Sequence, residues 1–472
     1  ALPHRATIRK AHSSFKNFQV KKPAPQVAHT MRRSFRSTSH ICVRRSIRFA
    51  STSFGALDDF QVEVKDASRA YFMSTIHPLF RKQDDDDWWP EHAFPELLAK
   101  QGYLGLTIGA EYGGAGLDFL TGGLIAEQLH YANSSIGISH SAHDNLCANN
   151  IYLNGTEDQK QRFLPGLCAG TLIGALGMSE PGAGSDAIGG MATRAVASAD
   201  GSTFTLNGTK LWITNGPVAD VVLVYAKTTP KRGNQGVSAF LVERGLPGFS
   251  VGKKQDKMGF RGSPQSELIF EDVVVDASNL LGEQDRGVGL MMSGLDLERA
   301  WVAVGCTGVA ERALDLALAW SKERKQFGEP IANFQLIQDK LARMYTSLSA
   351  AQLLVYKALA MCDAVESGGA GRGEIHLVST AAYMAATEAV KLCCDEGVQI
   401  FGGMVRKLRR VASRCGCDVF HWVFARTNIS LSLSLSLSFP GCRASCARRK
   451  LMGCTGQSRR RRSLEGPWKF EN

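Results

Sequence analysis

The spacing of apolar residues divides the chain into three stretches between two atypical ends. Residues 58–175 place apolar side chains every three or four positions, as in VEVKDASRAYFMSTIHPLF and FPELLAKQGYLGL, which predicts helices. Residues 176–285 change to short β-prone runs separated by Gly, Pro and Asn. Residues 286–403 return to helical spacing in long segments. We therefore expect an α+β fold with an N-terminal helical domain, a middle β-barrel-like or sandwich domain and a C-terminal helical bundle.

Within the middle stretch, Asn207-Gly208 separates two β-prone runs in FTLNGTKLWITNG. An Asn-Gly pair between such runs is a strong signal for a tight hairpin turn, because both residues adopt positive φ readily. A hairpin is therefore predicted at this position.

Residues 1–57 and residues 404–472 are basic and irregular. The first carries twelve Lys or Arg and no acid, and the second carries fifteen against three, so each has a net charge of +12 while the part between them has −13. The positive overall charge of +11 therefore comes from the two ends, while the part between them is acidic. They lack zinc-ligand spacing and aromatic RNA motifs, so we expect no nucleic-acid partner.

Both ends are interpreted as lying outside the fold. MRRSFRSTSHICVRRSIRFASTSF, from residue 31, is rich in Arg and Ser, which is typical of a mitochondrial transit peptide and predicts the mitochondrial matrix; a disordered basic arm is the alternative. Residues 1–30 are interpreted as a leader read through in frame. The alternation ISLSLSLSLS at 429–438 could form a strand. Translation of a repeated TC dinucleotide also produces alternating Ser and Leu. Our hypothesis is therefore that the sequence after residue 403 comes from a retained intron or a gene-model error.

Cysteine usage and hydropathy exclude several classes of protein. There are twelve cysteines and no CxxC pair, so neither a secreted disulfide framework nor a zinc site is indicated, and buried reduced thiols are expected. No uninterrupted apolar run is long enough for a transmembrane helix. We predict no metal site.

Glu298 is the strongest candidate for chemistry. It stands in SGLDLERA among Leu295, Leu297, Ala300 and Trp301, and apolar surroundings raise a carboxyl's pKa and make it a stronger base. A surface glutamate paired with Arg299 is the alternative on spacing alone.

Two other segments suggest a flat, ring-shaped ligand. MSEPGAGSD at 178–186 is a glycine-rich turn that lets a ring approach the backbone, and LWITNG at 211–216 offers the face of Trp212 and the hydroxyl of Thr214. Core packing of Trp212 is the alternative. Arg324 suits a pyrophosphate, although it could equally be a solvated arginine at a helix end.

Together these strings, in this order over residues 58–403, resemble the acyl-CoA dehydrogenases, which oxidise the Cα–Cβ bond of a thioester with FAD. The resemblance implies that Glu298 takes the α-proton and that flavin N5 receives the β-hydrogen as hydride. It implies an acyl-CoA substrate, electron-transfer flavoprotein as acceptor, and a homotetramer with cofactor sites shared between subunits. The implied FAD contacts are Leu176, Met178, Ser179, Gly184, Ser185, Trp212, Ile213 and Thr214, with Arg324, Phe327, Gln335, Gln399, Gly402 and Gly403 reaching a neighbour's FAD. The implied substrate contacts are Ser185, Asn234, Gln235, Asp296, Leu297 and Arg299.

The position of the base indicates which branch of the family the chain resembles. In most of the family the base lies near the C-terminus, whereas in the isovaleryl branch it lies within a GLDLER-like string. GLDLER at 294–299 resembles that string. The resemblance to this branch implies oxidation of isovaleryl-CoA to 3-methylcrotonyl-CoA in leucine breakdown. Two departures are visible: Gly289 replaces an aromatic residue common in that branch, and the family's NGY and GTSE strings are missing after QIFGG. The alternatives are another short-chain acyl-CoA dehydrogenase, or an inactive splice or gene-model variant.

Overall fold

A computed structural model describes residues 57–366 and 372–404. The predicted leader and the predicted basic tail after residue 404 lie outside the described residues. The described part runs from helices through one sheet to long helices, as the apolar spacing predicts.

The N-terminal section consists of helices, most of them joined by short turns. Its α-helices are α1 (Asp59–Thr75), α2 (Phe80–Asp86), α3 (Phe119–Ala132), α4 (Ser134–Ser141), α5 (Asn150–Asn154) and α6 (Glu157–Cys168), with a π-helical stretch, Ala142–Asn149, between α4 and α5. Residues 87–118, between α2 and α3, contain a π-helical stretch, Ala93–Leu98, and two 3-10 turns, Ala99–Gln101 and Ala110–Tyr112. The start of α1 is a capping box: the Asp58 carboxylate accepts from the Gln61 N–H, and the Gln61 side chain accepts from the Asp58 N–H. The N-cap of α3 is Asp118, whose carboxylate accepts from the Thr121 N–H.

The middle section is one eight-stranded mixed sheet in the order β6-β7-β3-β2-β4-β5-β8, with β1 parallel to β4. Its strands are β1 (Gly174–Gly177), β2 (Arg194–Ala197), β3 (Thr203–Thr214), β4 (Val221–Lys227), β5 (Val237–Glu243), β6 (Phe249–Val251), β7 (Gln265–Asp276) and β8 (Leu280–Leu281). β4 and β5 are buried on both faces: Leu223 and Tyr225 pack toward α5, α6 and the start of the long helix that follows, and Val222 and Val224 pack on the other side.

The C-terminal section packs three long helices: α7 (Gly287–Glu323), α8 (Gln335–Glu366) and α9 (Arg372–Phe401). A short two-stranded ribbon, β9 (Lys325–Gln326) and β10 (Glu329–Pro330), connects α7 to α8. α7 belongs to both larger cores, because Trp301 and Val304 pack against α3 and the bundle while Leu290 and Leu295 pack under the sheet. Among the described residues, no helix combines the length and apolarity that crossing a membrane requires.

The hairpin predicted at Asn207-Gly208 is wrong, because β3 runs straight through both residues with only a bulge against β7. The Asn207 amide donates to the Asp272 carboxylate at 2.9 Å, and its oxygen accepts from the Asp272 N–H at 2.9 Å, so the side chain bridges two strands. A Cβ on Gly208 would lie 2.5 Å from the Thr193 hydroxyl oxygen. The glycine therefore serves a close approach of neighbouring backbone and not a turn.

The six cysteines of the described body are all buried free thiols, which confirms that expectation. They are Cys147, Cys168, Cys306, Cys362, Cys393 and Cys394.

A buried ionic cluster fastens α1 to the bundle. The Lys65 ammonium lies 3.0 Å from the Glu127 carboxylate and donates to the Tyr356 hydroxyl at 2.9 Å, while that hydroxyl donates to Glu127 at 2.8 Å. The Glu127 side chain is fully buried. Removing its cation would leave a buried charge uncompensated.

We expect Lys65→Met to lower the free energy of unfolding by about 3 kcal/mol, because Glu127 loses its partner without leaving the interior. Urea denaturation followed by far-UV circular dichroism measures this. Adding Glu127→Gln should recover part of the loss, and Lys100→Met, which breaks an exposed pair with Glu96 on one short segment, should change little. A Lys65→Met protein as stable as the Lys100→Met control would contradict the role of the cluster.

Candidate active site

One cleft lies where the ends of β1 and β3 face helices α4 and α7. Its empty volume, including the open mouth, is about 970 Å³. Six of the residues predicted to contact flavin line it: Leu176, Met178, Ser179, Trp212, Ile213 and Thr214. The structure thus brings together two segments that lie about 30 residues apart in the sequence.

The wall opposite the sheet is formed by α7. Val302, Cys306 and Val309 line the cleft, together with Gly305. Glu298 lies one helical turn before Val302, and residues four apart in a helix share a face. Glu298 is therefore on the same face of α7 as these residues, one turn beyond them, but it is not itself among the residues that line the cleft.

Glu298 is buried, with 7% of its surface exposed. Burial raises the pKa of its carboxyl group to about 7, against a smaller opposing effect of a hydrogen bond from Asn150. The Asn150 amide donates to Glu298 Oε1 at 3.1 Å and to the Leu146 carbonyl at 3.0 Å. Leu146 lines the cleft, so Asn150 connects Glu298 on α7 to one of the helical segments of the cleft wall.

No ion pair involves Glu298 among the residues that the structure describes. The surface glutamate paired with Arg299 is wrong, because the Arg299 guanidinium bonds Asp296 at 2.9 Å instead. Asp296 also accepts from the His376 ring of α9 at 2.7 Å. Glu298 is thus a carboxyl group that is half-ionised near neutral pH and has an amide as its hydrogen-bond donor.

A buried ion pair fixes the β1 side of the cleft. Lys210, fully buried on β3, donates to Glu180 at 2.7 Å and to the Met178 carbonyl at 3.2 Å. Glu180 also accepts from the backbone N–H groups of Ala192 and Thr193, at 2.6 and 3.1 Å. The backbone that leads from β1 into the glycine-rich turn is therefore held by side chains that do not enter the cleft.

The β3 side contains two residues with left-handed backbone. Trp212 has φ 64° and is 48% exposed, and Asn215 has φ 65° and is fully buried. The Asn215 amide donates to the carbonyls of Ser139 on α4 and Gly174 on β1, at 2.8 and 3.1 Å. Such conformations persist only where surrounding structure enforces them, and they cluster at functional sites. Here they turn a large aromatic side chain out at the cleft.

The remaining predicted residues lie outside the cleft lining. Gly184 and Ser185 are exposed in the turn after β1, and a Cβ on Gly184 would meet nothing within 4 Å. Asn234 and Gln235 lie in a 3-10 segment, Pro230–Gln235, before β5. Leu297 is buried in the helical core.

A second group of predicted residues collects at the far end of the bundle. Arg324 and Phe327 follow α7, Gln335 begins α8, and all three are exposed, Phe327 by 96%. Gln399, Gly402 and Gly403 lie at the exposed end of α9. The rings of Trp320 and Phe401 stack at 5.3 Å and bring the two helix ends together.

Sequence reasoning missed several residues of the site. Val302, Cys306 and Val309 could have been found by counting helical turns from Glu298. Asn150 and His130 carry no such signal, because they reach the site from other helices. At Gly289, where the isovaleryl branch often carries an aromatic residue, a Cβ would meet nothing within 4 Å, so the space there is open.

Family models match most of the described residues. They are acyl-CoA dehydrogenase, N-terminal domain, over 58–171, the middle domain over 175–273, and the C-terminal domain over 285–412.

Individual relatives agree on the family and differ in substrate. A mitochondrial isovaleryl-CoA dehydrogenase of Solanum tuberosum is 42% identical over 318 residues, which is 67% of this chain and 76% of the relative. A mitochondrial 2-methylacyl-CoA dehydrogenase of the same plant is 42% identical over 308 residues, 65% of this chain and 74% of the relative. The solved butyryl-CoA dehydrogenase of Megasphaera elsdenii superimposes with a TM-score of 0.71 at 36% identity, covering 80% of this chain and 98% of its own. The chain therefore belongs to the acyl-CoA dehydrogenase family, the FAD-dependent enzymes that its motifs resemble.

Proposed function

We propose that this chain dehydrogenates a short branched acyl-CoA, isovaleryl-CoA to 3-methylcrotonyl-CoA, with Glu298 removing the α-proton. The observation that carries the proposal is a buried carboxyl group with a pKa of about 7, on the same face of the helix whose next turns line a cleft that also contains six of the predicted flavin contacts. A thioester α-C–H is a weak acid, so its removal needs a base that is strong and shielded from water.

The surroundings of Glu298 suit proton transfer near neutral pH. Burial supplies the basicity, and the Asn150 amide can donate to the ionised carboxylate without neutralising it as a cation would. The carboxylate must be ionised to accept the proton, and a pKa of about 7 leaves a large ionised fraction at neutral pH.

The lining of the cleft suits an isoalloxazine ring. The exposed face of Trp212 and the hydroxyls of Ser179 and Thr214 offer one aromatic surface and two hydrogen-bonding groups. Outside the lining, in the turn after β1, the bare backbone at Gly184 has open space around it. When bound, FAD would supply the acceptor for the β-hydrogen as hydride. Leu176, Met178 and Ile213 would exclude water around the ring, and Ser185 would contact FAD and the CoA arm.

The second group of residues supports an oligomer. Phe327 and Leu336 expose 96% and 79% of their surface at the end of the bundle, which is unusual for apolar side chains that no partner covers. We propose that Arg324, Phe327, Gln335, Gln399, Gly402 and Gly403 hold the FAD of a neighbouring subunit in a homotetramer. Arg324 would bind its pyrophosphate.

The choice of a branched substrate rests on the position of the base within GLDLER and on the names of the relatives. Asp296, Leu297, Arg299, Asn234 and Gln235 would position the acyl-CoA. Because the relatives include a 2-methylacyl-CoA dehydrogenase and a butyryl-CoA dehydrogenase, oxidation of another short-chain acyl-CoA is the second candidate function. Electron-transfer flavoprotein as acceptor and the mitochondrial matrix as location complete the proposal; the mitochondrial relatives support the location. An inactive splice or gene-model variant is the remaining alternative.

Glu298→Gln should abolish bleaching of the flavin by isovaleryl-CoA, because the amide is nearly isosteric and cannot accept the α-proton. We expect the rate of flavin reduction to fall by at least about a hundredfold to ten-thousandfold, while FAD content and acyl-CoA affinity are retained. Stopped-flow absorbance and calorimetry measure these quantities. A Glu298→Gln protein that reduces flavin at a near-normal rate would show that another group is the base.

The rate of flavin reduction should rise with pH and reach a plateau above pH about 7, since only ionised Glu298 accepts a proton. Asn150→Ala removes the hydrogen bond that lowers this pKa, so its profile should move to higher pH by about one unit. Asn154→Ala, which removes a nearby hydrogen bond to the Asn150 carbonyl, should leave the profile in place. An Asn150→Ala profile that coincides with the wild type would contradict the coupling.

A further inference from the structure

A buried glycine lies one helical turn before Glu298 on α7. Gly294 precedes Glu298 by four residues, and residues four apart in a helix share a face. Glycine is less favourable than alanine inside a helix, because it loses more backbone freedom on folding. The surroundings of Gly294 give a reason for its presence.

Outside the backbone of α7, the atoms nearest to Gly294 are the ends of the Asn150 and Glu298 side chains. A Cβ on Gly294 would lie 2.9 Å from Asn150 Oδ1, 3.1 Å from Glu298 Oε1 and 3.4 Å from Asn150 Nδ2. The Asn150 Nδ2 group donates to Glu298 Oε1 at 3.1 Å. A methyl group at this position would therefore press on both partners of one hydrogen bond.

Gly308, further along the same helix, serves a different contact. A Cβ on Gly308 would lie 2.3 Å from the backbone carbonyl oxygen of Glu127 on α3, so this glycine lets two helices pack closely. A backbone carbonyl cannot move aside, whereas the ends of the Asn150 and Glu298 side chains can rotate. An added methyl group at Gly294 should therefore disturb the hydrogen-bonded pair without separating the helices.

The other charged and titratable groups near Glu298 come from α7 and β4. After the larger effects of burial and of the Asn150 hydrogen bond, Arg299 lowers and Asp296 raises the pKa of Glu298, and these two residues pair with each other at 2.9 Å. On β4, burial and the charge of Glu298 raise the pKa of the Tyr225 hydroxyl well above its ordinary value. None of these three residues provides the atoms nearest to a Cβ on the glycine.

We propose that Gly294 is a positioning residue for the base: because it has no side chain, the Asn150 amide can close on Glu298 Oε1 beside it. The inference rests on the proposed function, since it takes Glu298 to be the base. A hydrogen bond from the amide favours the ionised carboxylate, which is the form that accepts a proton. The glycine therefore keeps more of the base in its reactive form at neutral pH than alanine would.

The first test adds one methyl group at the pair. In Gly294→Ala the pH profile of flavin reduction should move up by about one unit, so the rate at about pH 6 should fall about tenfold relative to the plateau. Gly289→Ala is the matched control, because it adds the same group to the same helix where a Cβ meets nothing within 4 Å. Its profile should stay at the wild-type position. Thermal melting and FAD content establish that each variant is folded.

A double variant separates this role from a general effect of the methyl group. In Asn150→Ala the hydrogen bond is already absent and the amide no longer occupies the space beside Gly294. Adding Gly294→Ala to Asn150→Ala should therefore move the pH profile no further. Additive shifts would mean that the methyl group acts on Glu298 by another route, which overturns the proposal.

Infrared difference spectroscopy gives a readout independent of turnover. The carboxyl band that disappears in Glu298→Gln identifies Glu298, and its titration midpoint should rise by about one unit in Gly294→Ala. A midpoint that fails to rise in a folded Gly294→Ala protein overturns the inference and leaves the proposed function standing. A midpoint that rises while the pH profile of flavin reduction stays in place contradicts Glu298 as the base, and with it the proposed mechanism.

Discussion

The site depends on one constraint: a carboxyl group is kept out of water with no ion pair of its own among the described residues. Burial of Glu298 raises its pKa from the usual 4.5 to about 7, so the folded protein holds a proton that the unfolded chain would release between those pH values. Stability contributed by this group is therefore lost as pH rises from 4.5 to 7, by roughly 3 kcal/mol above pH 7. The rest of the fold has to offset this cost, and α7 does so by joining two cores at once.

The cleft is assembled by contacts that lie behind its walls. Lys210 and Glu180 fix the backbone of Met178 from inside the sheet, and Asn215 ties β3 to both α4 and β1. A buried ion pair adds little net stability but breaking it is costly, which makes it suited to holding one geometry. The lining residues can therefore present aromatic and hydroxyl groups without also supporting the backbone.

Sequence periodicity identified the order of helices, sheet and helices. Apolar residues are spaced three and four apart in helices and alternate in strands, and this difference can be recognised within a short stretch of sequence. Glu298 and the Trp212 segment could be proposed from local composition and family strings. The contacts of Asn150 and His130 could not, because they arise where separate helices meet. The Asn207-Gly208 error has the same origin: local turn chemistry was overruled by a cross-strand bridge to Asp272 and by the close approach of Thr193.

The proposed mechanism requires that the Glu298 carboxylate face the α-carbon of a thioester inside this cleft. A crystal structure with FAD and an unreactive acyl-CoA analogue is the decisive test. A Glu298 oxygen is expected within about 3.5 Å of the analogue's α-carbon, on the face opposite the ring that lies along Trp212 and Thr214. An α-carbon that faces a different acid or base, with Glu298 still bonded to Asn150 and remote from the ligand, would contradict the mechanism.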